Sequence, residues 1–167
     1  SCKAVNLTTY KGNYTYYSSK DYPIYCFKEY DINLKFLGYK IYFPMAESGR
    51  KWINNSTSAA IQGIKSLSCN LELIGLTKAR KDTMCYTLLG IETIAPYNES
   101  SDLDTNGIAN LMNKYPKKFV NFDGDQRGIR ETLKINEKYG YSYFFIDDYK
   151  DLSDYIKHNG LIKAKEM

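Results

Sequence analysis

The sequence predicts an α/β protein, α+β overall, in which a strand-rich N-terminal lobe leads into a mostly parallel sheet flanked by helices. Three observations carry this reading. Aromatic and β-branched residues broken by Gly, Asn, Asp and Pro dominate the chain through Pro44. From Leu71 onward, short apolar runs alternate with helical patterns, which implies βαβ crossovers and parallel pairing. With 43% apolar and 25% charged residues, the 167-residue chain is hydrophobic enough to fold around a core.

In chain order, strands are expected over 14–17, 24–27 and 39–43. Leu71, Leu73, Ile74 and Leu76 form an apolar strand, and a helix over 77–89 follows, with Met84, Cys85, Leu88 and Leu89 inward and Gly90 as its stop. The unit then repeats. A strand over 93–95 precedes a helix marked by Ile108, Leu111 and Met112, and a strand over 119–122 precedes a helix that begins around Ile129 and Leu133 and ends near Gly140. Strand 141–146 and helix 152–157 complete the series. The expected organisation is an N-terminal lobe over 1–67, an α/β domain over 68–160 and a tail over 161–167.

Composition narrows the function classes. No apolar run approaches the roughly 20 residues that span a bilayer, and no basic-then-apolar leader opens the chain, so neither membrane nor export is supported. The net charge of +4 and pI near 8.7 permit a polyanionic partner without requiring one. Cys2, Cys26, Cys69 and Cys85 are scattered, with only His158 to help them, so no zinc site can be drawn; they formally allow two disulfides. Five Asn-x-Ser/Thr triplets, beginning at Asn6, Asn13, Asn54, Asn55 and Asn98, arise readily in a chain this rich in Asn, Lys, Tyr and Ile.

In parallel sheets, functional groups collect where strand carboxyl ends lead into helices. Four stretches meet that rule: 77–82, 95–99, 123–128 and 147–151. The sharpest signal is Asp123 and Asp125, an Asp-x-Asp pair directly after an apolar strand, with Gly124 between the two carboxylates and Gly128 letting the next helix pack closely. Hard oxygen ligands at this spacing suit Mg²⁺, while the bland alternative is an Asp-Gly turn followed by a helix cap. Asp147 and Asp148 pose the same choice. Arg50, Lys51, Trp52, Asn54 and Asn55 combine basic, aromatic and amide groups that can hold a phosphate backbone and stack a base, with Trp52 equally suited to anchoring a core.

The ordered motifs resemble a family. Strand, Phe-Asp-Gly-Asp-x-x-Gly, then helix is similar to the Asp-x-Asp motif of Toprim domains, found in bacterial-type primases, topoisomerases and related nucleases. Lys150-Asp151-Leu152-Ser153-Asp154 resembles the Lys-Asp-x-x-Asp segment after the last Toprim strand of primases. Thr77-Lys78-Ala79-Arg80-Lys81-Asp82 resembles the first Toprim motif, and Lys51-Trp52-Ile53-Asn54-Asn55-Ser56 with Ile61-Gln62-Gly63 resembles the primase lobe ahead of the Toprim core. The resemblance covers roughly 34–159 and departs at one position: Lys78 stands where the family's first glutamate is usual.

What the resemblance implies is a DNA primase catalytic core, a DNA-directed RNA polymerase that makes short RNA primers for DNA replication from ribonucleoside triphosphates on single-stranded DNA. Mg²⁺ or Mn²⁺ would be held by Asp123, Asp125 and Asp151, with Asp82 close by. Lys78 would neutralise a triphosphate or be the solvated first turn of a helix, Glu99 is the candidate replacement acid, and Arg50, Lys51, Trp52, Asn54, Asn55, Arg80 and Lys81 would guide template or nucleotide. The family's zinc-binding domain is not among these residues, so an excised fragment, a separate zinc-binding domain or a replicative helicase partner is expected, in the cytoplasm of a bacterial cell or phage-infected host. Two alternatives stand beside it. A Toprim nuclease shares the acidic cluster, although the segment 51–63 argues for primase, and a non-catalytic Toprim module binding nucleic acid or nucleotide accounts for Lys78.

Overall fold

The computed structural model describes residues 3–9, 12–47, 51–68 and 72–167. Two antiparallel units come first. Strands β1 (Lys3–Thr9) and β2 (Gly12–Ser18) form a hairpin, with Thr9 opposite Gly12 at its tip, and β1 lies ahead of the first strand the sequence pattern predicts. Strands β3 (Tyr25–Tyr30), β4 (Phe36–Tyr42) and β5 (Trp52–Asn54) form a three-stranded sheet. Period-2 alternation puts Tyr25, Phe27 and Glu29 on one face of β3, opposite Tyr42, Lys40 and Gly38 of β4. Tyr42 in turn stacks on Trp52 of β5 at 4.4 Å between ring centres.

The third unit is a four-stranded parallel sheet in the order β7-β6-β8-β9, built from β6 (Leu73–Thr77), β7 (Thr93–Ile94), β8 (Lys117–Asn121) and β9 (Ser142–Tyr143). Helices α1 (Arg80–Leu88), α2 (Ile108–Met112), α3 (Gln126–Tyr139) and α4 (Leu152–Glu166) alternate with the strands as expected. Their sides follow from the pleat. Ile74, Leu76 and Val120 join Ile108, Met112, Ile135 and Tyr141 in the core shared with α2 and α3. Phe119 lies on the other face with Tyr86 of α1 and Leu152 of α4. Each fully buried Ile, Leu or Val side chain contributes about 1.5–3 kcal/mol. Gly75 has a packing role on that second face: a Cβ there would overlap the Phe119 ring and come within 2.7 Å of Thr93 Cγ2.

Helix α1 differs from expectation in start and in face. Residues 78 and 79 stay outside the helix, with Ala79 extended at its N-cap position, and the inward residues are Asp82, Thr83 and Tyr86. Met84 and Leu88, expected inside, are 47% and 59% exposed, while Cys85 and Leu89 are partly buried. The physical reason is that Tyr86 anchors the helix, its hydroxyl donating to Asn121 Oδ1 at 2.7 Å, and this fixes the rotation that buries Asp82 one turn earlier. Along the sheet's edges β7 and β9 are two residues each, shorter than the apolar runs that mark them. At the C-terminus α4 continues past a break at Gly160 and buries Ala164, so residues expected as a tail are helical.

The two sheets are joined by isolated bridges, Tyr30 to Ile61 and Gln62 to Ala95. Gln62 is buried, and its side chain makes three bonds: the amide donates to Pro96 O at 2.6 Å, and the carbonyl accepts from Arg80 N at 2.8 Å and Lys40 Nζ at 2.9 Å. Beside it the buried Glu29 pairs with Arg80 at 3.2 Å. Lobe and parallel sheet therefore share a hydrogen-bonded polar seam next to the loop that carries Lys78, in which Arg80 Nε is the buried atom left without a partner.

Candidate active site

The strand order creates a switch point. From β6 the chain passes outward to β7, then returns across β6 to β8 and continues to β9, so the connections after β6 and β8 leave in opposite directions. A crevice opens between their carboxyl ends, where open α/β sheets bind ligands. Lys78 follows β6 and Asp123 follows β8, one on each side of it. Lys78 Nζ donates to Asp123 Oδ2 and lies 3.0 Å from Glu99 Oε1, which reaches the same point from the loop after β7. Both acids are buried. Sequence reasoning thus named three residues that the fold brings into contact.

Two further cations complete the cluster. Lys150 Nζ lies 3.2 Å from Asp123 Oδ2 and 3.7 Å from Asp125 Oδ2, and Arg127 Nε lies 3.1 Å from Glu99 Oε2. Neither was given a role from the sequence, although Lys150 opens the Lys-Asp-x-x-Asp segment and Arg127 lies in the stretch 123–128 that the carboxyl-edge rule selects. The loop carrying Lys150 is held in place by its backbone carbonyl, which accepts from Gly124 N at 2.9 Å. Burial alone would pull the Lys78 ammonium down, but its bonds to Asp123 and Glu99 outweigh this and hold it above the usual lysine range.

Asp125 and Asp151 occupy N-cap positions. Asp125 Oδ1 accepts from Gly128 N at 2.9 Å at the start of α3, and this bond draws its carboxyl below the ordinary range. Asp151 Oδ1 accepts from Asp154 N at 2.8 Å and from Ser153 Oγ at 2.7 Å, while its Oδ2 takes Lys81 Nζ at 3.0 Å. Burial works against ionising Asp151, but those bonds win and its carboxyl is held low. Of the next-loop candidates, Asp147 and Asp148 are exposed, with Asp148 in a left-handed turn at φ 63°. Asp82 is the opposite case. It is buried with Oδ1 unbonded, and burial first, then the Asp151 carboxylate, push its carboxyl up to about 7.

Hard carboxylate oxygens are the right donor chemistry for Mg²⁺. Their arrangement is not. Among the described residues no three His, Cys, Asp or Glu side chains are grouped to hold a metal ion. Of the three expected to share one ion, Asp123 is paired with Lys78 and Lys150, while Asp125 and Asp151 cap α3 and α4 and face Lys150 and Lys81. As arranged, the cluster does not fit a divalent ion.

Of the residues expected to guide template or nucleotide, Arg50 lies outside the described residues. Asn54 Oδ1 accepts from Ser56 N and Oγ, both at 2.7 Å, and shapes its own turn, while Asn55 Oδ1 accepts from Tyr39 N of β4 at 2.7 Å and ties that turn to the sheet. Trp52 is half-buried among Tyr42 and Phe27, with Lys40 Nζ 5.0 Å from its ring centre. Lys51 is half-buried just ahead of it. Arg80 is turned toward Glu29 and over Phe27, and Lys81 toward Asp151. Arg80 and Lys81 thus belong to separate ion pairs and point away from each other's partner. Cys26 and Cys85 are free thiols, while Cys2 and Cys69 lie outside the described residues. A cavity of about 920 Å³ opens elsewhere, between Phe119, Phe144, Ile146 and Tyr155, and none of the cluster residues lines it.

No family model and no curated protein sequence matches the chain. Solved structures do match. The DnaG primase catalytic domain bound to single-stranded DNA aligns at TM-score 0.66 and 15% identity over 96% of this chain and 56% of that one. The primase fragment of the bacteriophage T7 primase-helicase protein aligns at 0.66 and 14% over 92% and 66%. The Aquifex aeolicus primase, with its zinc-binding and RNA polymerase domains, aligns at 0.57 and 15% over 84% and 38%. The chain spans about half the length of the DnaG catalytic domains it matches. At such identities the likeness is one of architecture: a mixed α/β chain with a parallel sheet behind an antiparallel lobe. This chain has the fold of a Toprim-type primase catalytic core.

Proposed function

We propose that the chain is the core of a DNA primase, binding single-stranded DNA and ribonucleoside triphosphates and joining the latter into short primers for DNA replication. The observation that supports this reading is the cluster of Lys78, Glu99, Asp123 and Lys150 at the switch point of a sheet with the primase-core fold. In this reading Lys150 and Arg127, each more than half exposed, meet the triphosphate at the rim. Lys78 below them pairs with both Asp123 and Glu99 and holds the two loops together, and the aromatic face around Trp52 stacks template bases. A replicative helicase and a separate zinc-binding domain are the proposed partners, and the cytoplasm of a bacterial or phage-infected cell the proposed location. Among the described residues no helix is long and apolar enough to cross a membrane.

One observation favours a second reading. A site whose acids are all paired with lysine or arginine is also what a non-catalytic module for nucleotide or nucleic acid presents. Primer synthesis on single-stranded DNA with labelled ribonucleotides separates the two, run with Mg²⁺, with Mn²⁺ and with chelator. Short RNA products that depend on template, and that fall at least about tenfold on Lys150→Ala, support the primase reading. Tight nucleotide or DNA binding with no product under any of the three conditions replaces it with the binding module.

A further inference from the structure

The crevice is electrically closed by the chain itself. Three acids, Glu99, Asp123 and Asp125, face three cations, Lys78, Arg127 and Lys150, and their formal charges cancel. Lys78 is the innermost cation, 28% exposed where Lys150 and Arg127 are 54% and 56%, and it alone bridges the two buried acids, Glu99 and Asp123. A point charge between two buried carboxylates, one from the loop on each side of its own, is the position a bridging divalent ion would take. Any ion entering there would stand within contact range of an ammonium and compete with it for the same Asp123 oxygen. A carboxylate oxygen already committed to two ammoniums is a poor ligand.

We propose that Lys78 is the resident cation of this crevice, so that the cluster assembles without a divalent ion and becomes a metal site only when Lys78 is replaced. The inference goes beyond primer synthesis, because it concerns the protein before nucleotide binds. The charge sum gives an order: with the crevice neutral in the wild type, Lys78→Ala leaves it at one net negative charge and Lys78→Glu at two.

The test is Mn²⁺ binding to the chelator-treated full chain, followed by electron paramagnetic resonance, with thermal unfolding in Mg²⁺ as a second reading. The wild type should bind Mn²⁺ no better than Asp123→Asn. Affinity should rise through Lys78→Ala to Lys78→Glu, the last by about tenfold or more, since removing one contact charge and adding its opposite exceeds solvent screening. Adding Asp123→Asn to Lys78→Glu should abolish the gain, and Mg²⁺ should raise the unfolding temperature of Lys78→Glu most while leaving that of the wild type unchanged. Lys78→Met, which keeps length without charge, carries the comparison should Lys78→Glu fail to fold. Wild-type Mn²⁺ binding that disappears in Asp123→Asn overturns the inference, and so does a set of Lys78 variants with unchanged affinity. Primer synthesis is scored separately: its absence leaves the Mn²⁺ result standing, and Asp123-dependent binding in the wild type overturns this inference while leaving the proposed activity intact.

Discussion

Asp82 carries the largest electrostatic cost in the crevice region, since its carboxyl is buried, lacks a partner for Oδ1 and faces another acid in Asp151. With its pKa at about 7 in the folded chain and 3.8 as the ordinary value, the folded protein binds a proton that the unfolded chain has released throughout that interval. Stability should therefore fall as pH rises from about 4 to about 7, by up to about 4 kcal/mol from this group alone. Asp82→Asn keeps the shape without the charge. It should raise neutral-pH stability and flatten the slope in that window, as read by urea unfolding across pH. Equal slopes in the two proteins would show that Asp82 ionises freely. Asp151 acts in the other direction and in another window: its carboxyl is held low, so its contribution is full above the ordinary carboxylate pKa and is lost only as pH falls below it.

Among the helices, α3 shows how an element positions a charge. Gly128 lies in its first turn, and a Cβ there would overlap the Asp123 carbonyl oxygen and sit 3.0 and 3.1 Å from the Asp123 C and N atoms. In an ordinary helix Gly→Ala stabilises by about 1 kcal/mol. Here the sign should reverse, because α3 must lift away from the strand end that presents Asp123. Gly128→Ala is expected to cost about 1–3 kcal/mol, and Asp125→Ala about 1 kcal/mol through loss of the cap. Denaturant midpoints check both, and an unchanged or raised midpoint for Gly128→Ala would contradict the packing argument. The same helix shows what was legible beforehand. Asp-Gly-Asp-x-x-Gly after an apolar strand located the loop, the turn and the close approach, but a ligand and an N-cap ask for the same residue at the same junction. Only the fold shows that Asp125 and Asp151 bond their own helices. Likewise, α1 carries too few apolar residues for periodicity to fix its inward face, and the anchor that fixes it, Tyr86 on Asn121, is a contact across 35 residues of chain. The convergence of Lys78 with Glu99 and Asp123 was readable as three loops on one sheet edge, whereas their pairing with Lys150 and Arg127 depends on side-chain reach.

Across the whole molecule, the antiparallel lobe and the parallel sheet meet on a seam with two parts: an apolar one, where Tyr30 and Ile32 pack against the core that holds Ile61 and Val120, and a polar one centred on Gln62. Truncating it would leave Pro96 O, Arg80 N and Lys40 Nζ without their bonds in a buried setting. Burial already pulls the Lys40 ammonium below the usual lysine range, and Glu29, diagonal to it on β3, is raised by burial and only partly relieved by Arg80, so this seam has little solvent to fall back on. Each unsatisfied buried group costs about 1–3 kcal/mol, and Gln62→Ala should lose about 2–4 kcal/mol in all. The loss should also be uneven. Trp52, the sole tryptophan, reports the antiparallel lobe by fluorescence, while helices α1 to α4 all belong to the parallel-sheet unit and dominate far-ultraviolet circular dichroism. In the wild type the seam couples the two, and both probes should follow one denaturation curve. In Gln62→Ala the Trp52 transition should come first, because the lobe then keeps only its apolar contacts through Tyr30 and Ile32 while the larger cores around Val120 and Phe119 remain intact. Coincident transitions with an unchanged midpoint would mean that the backbone bridges at Ile61 and Ala95 carry the coupling without the side chain.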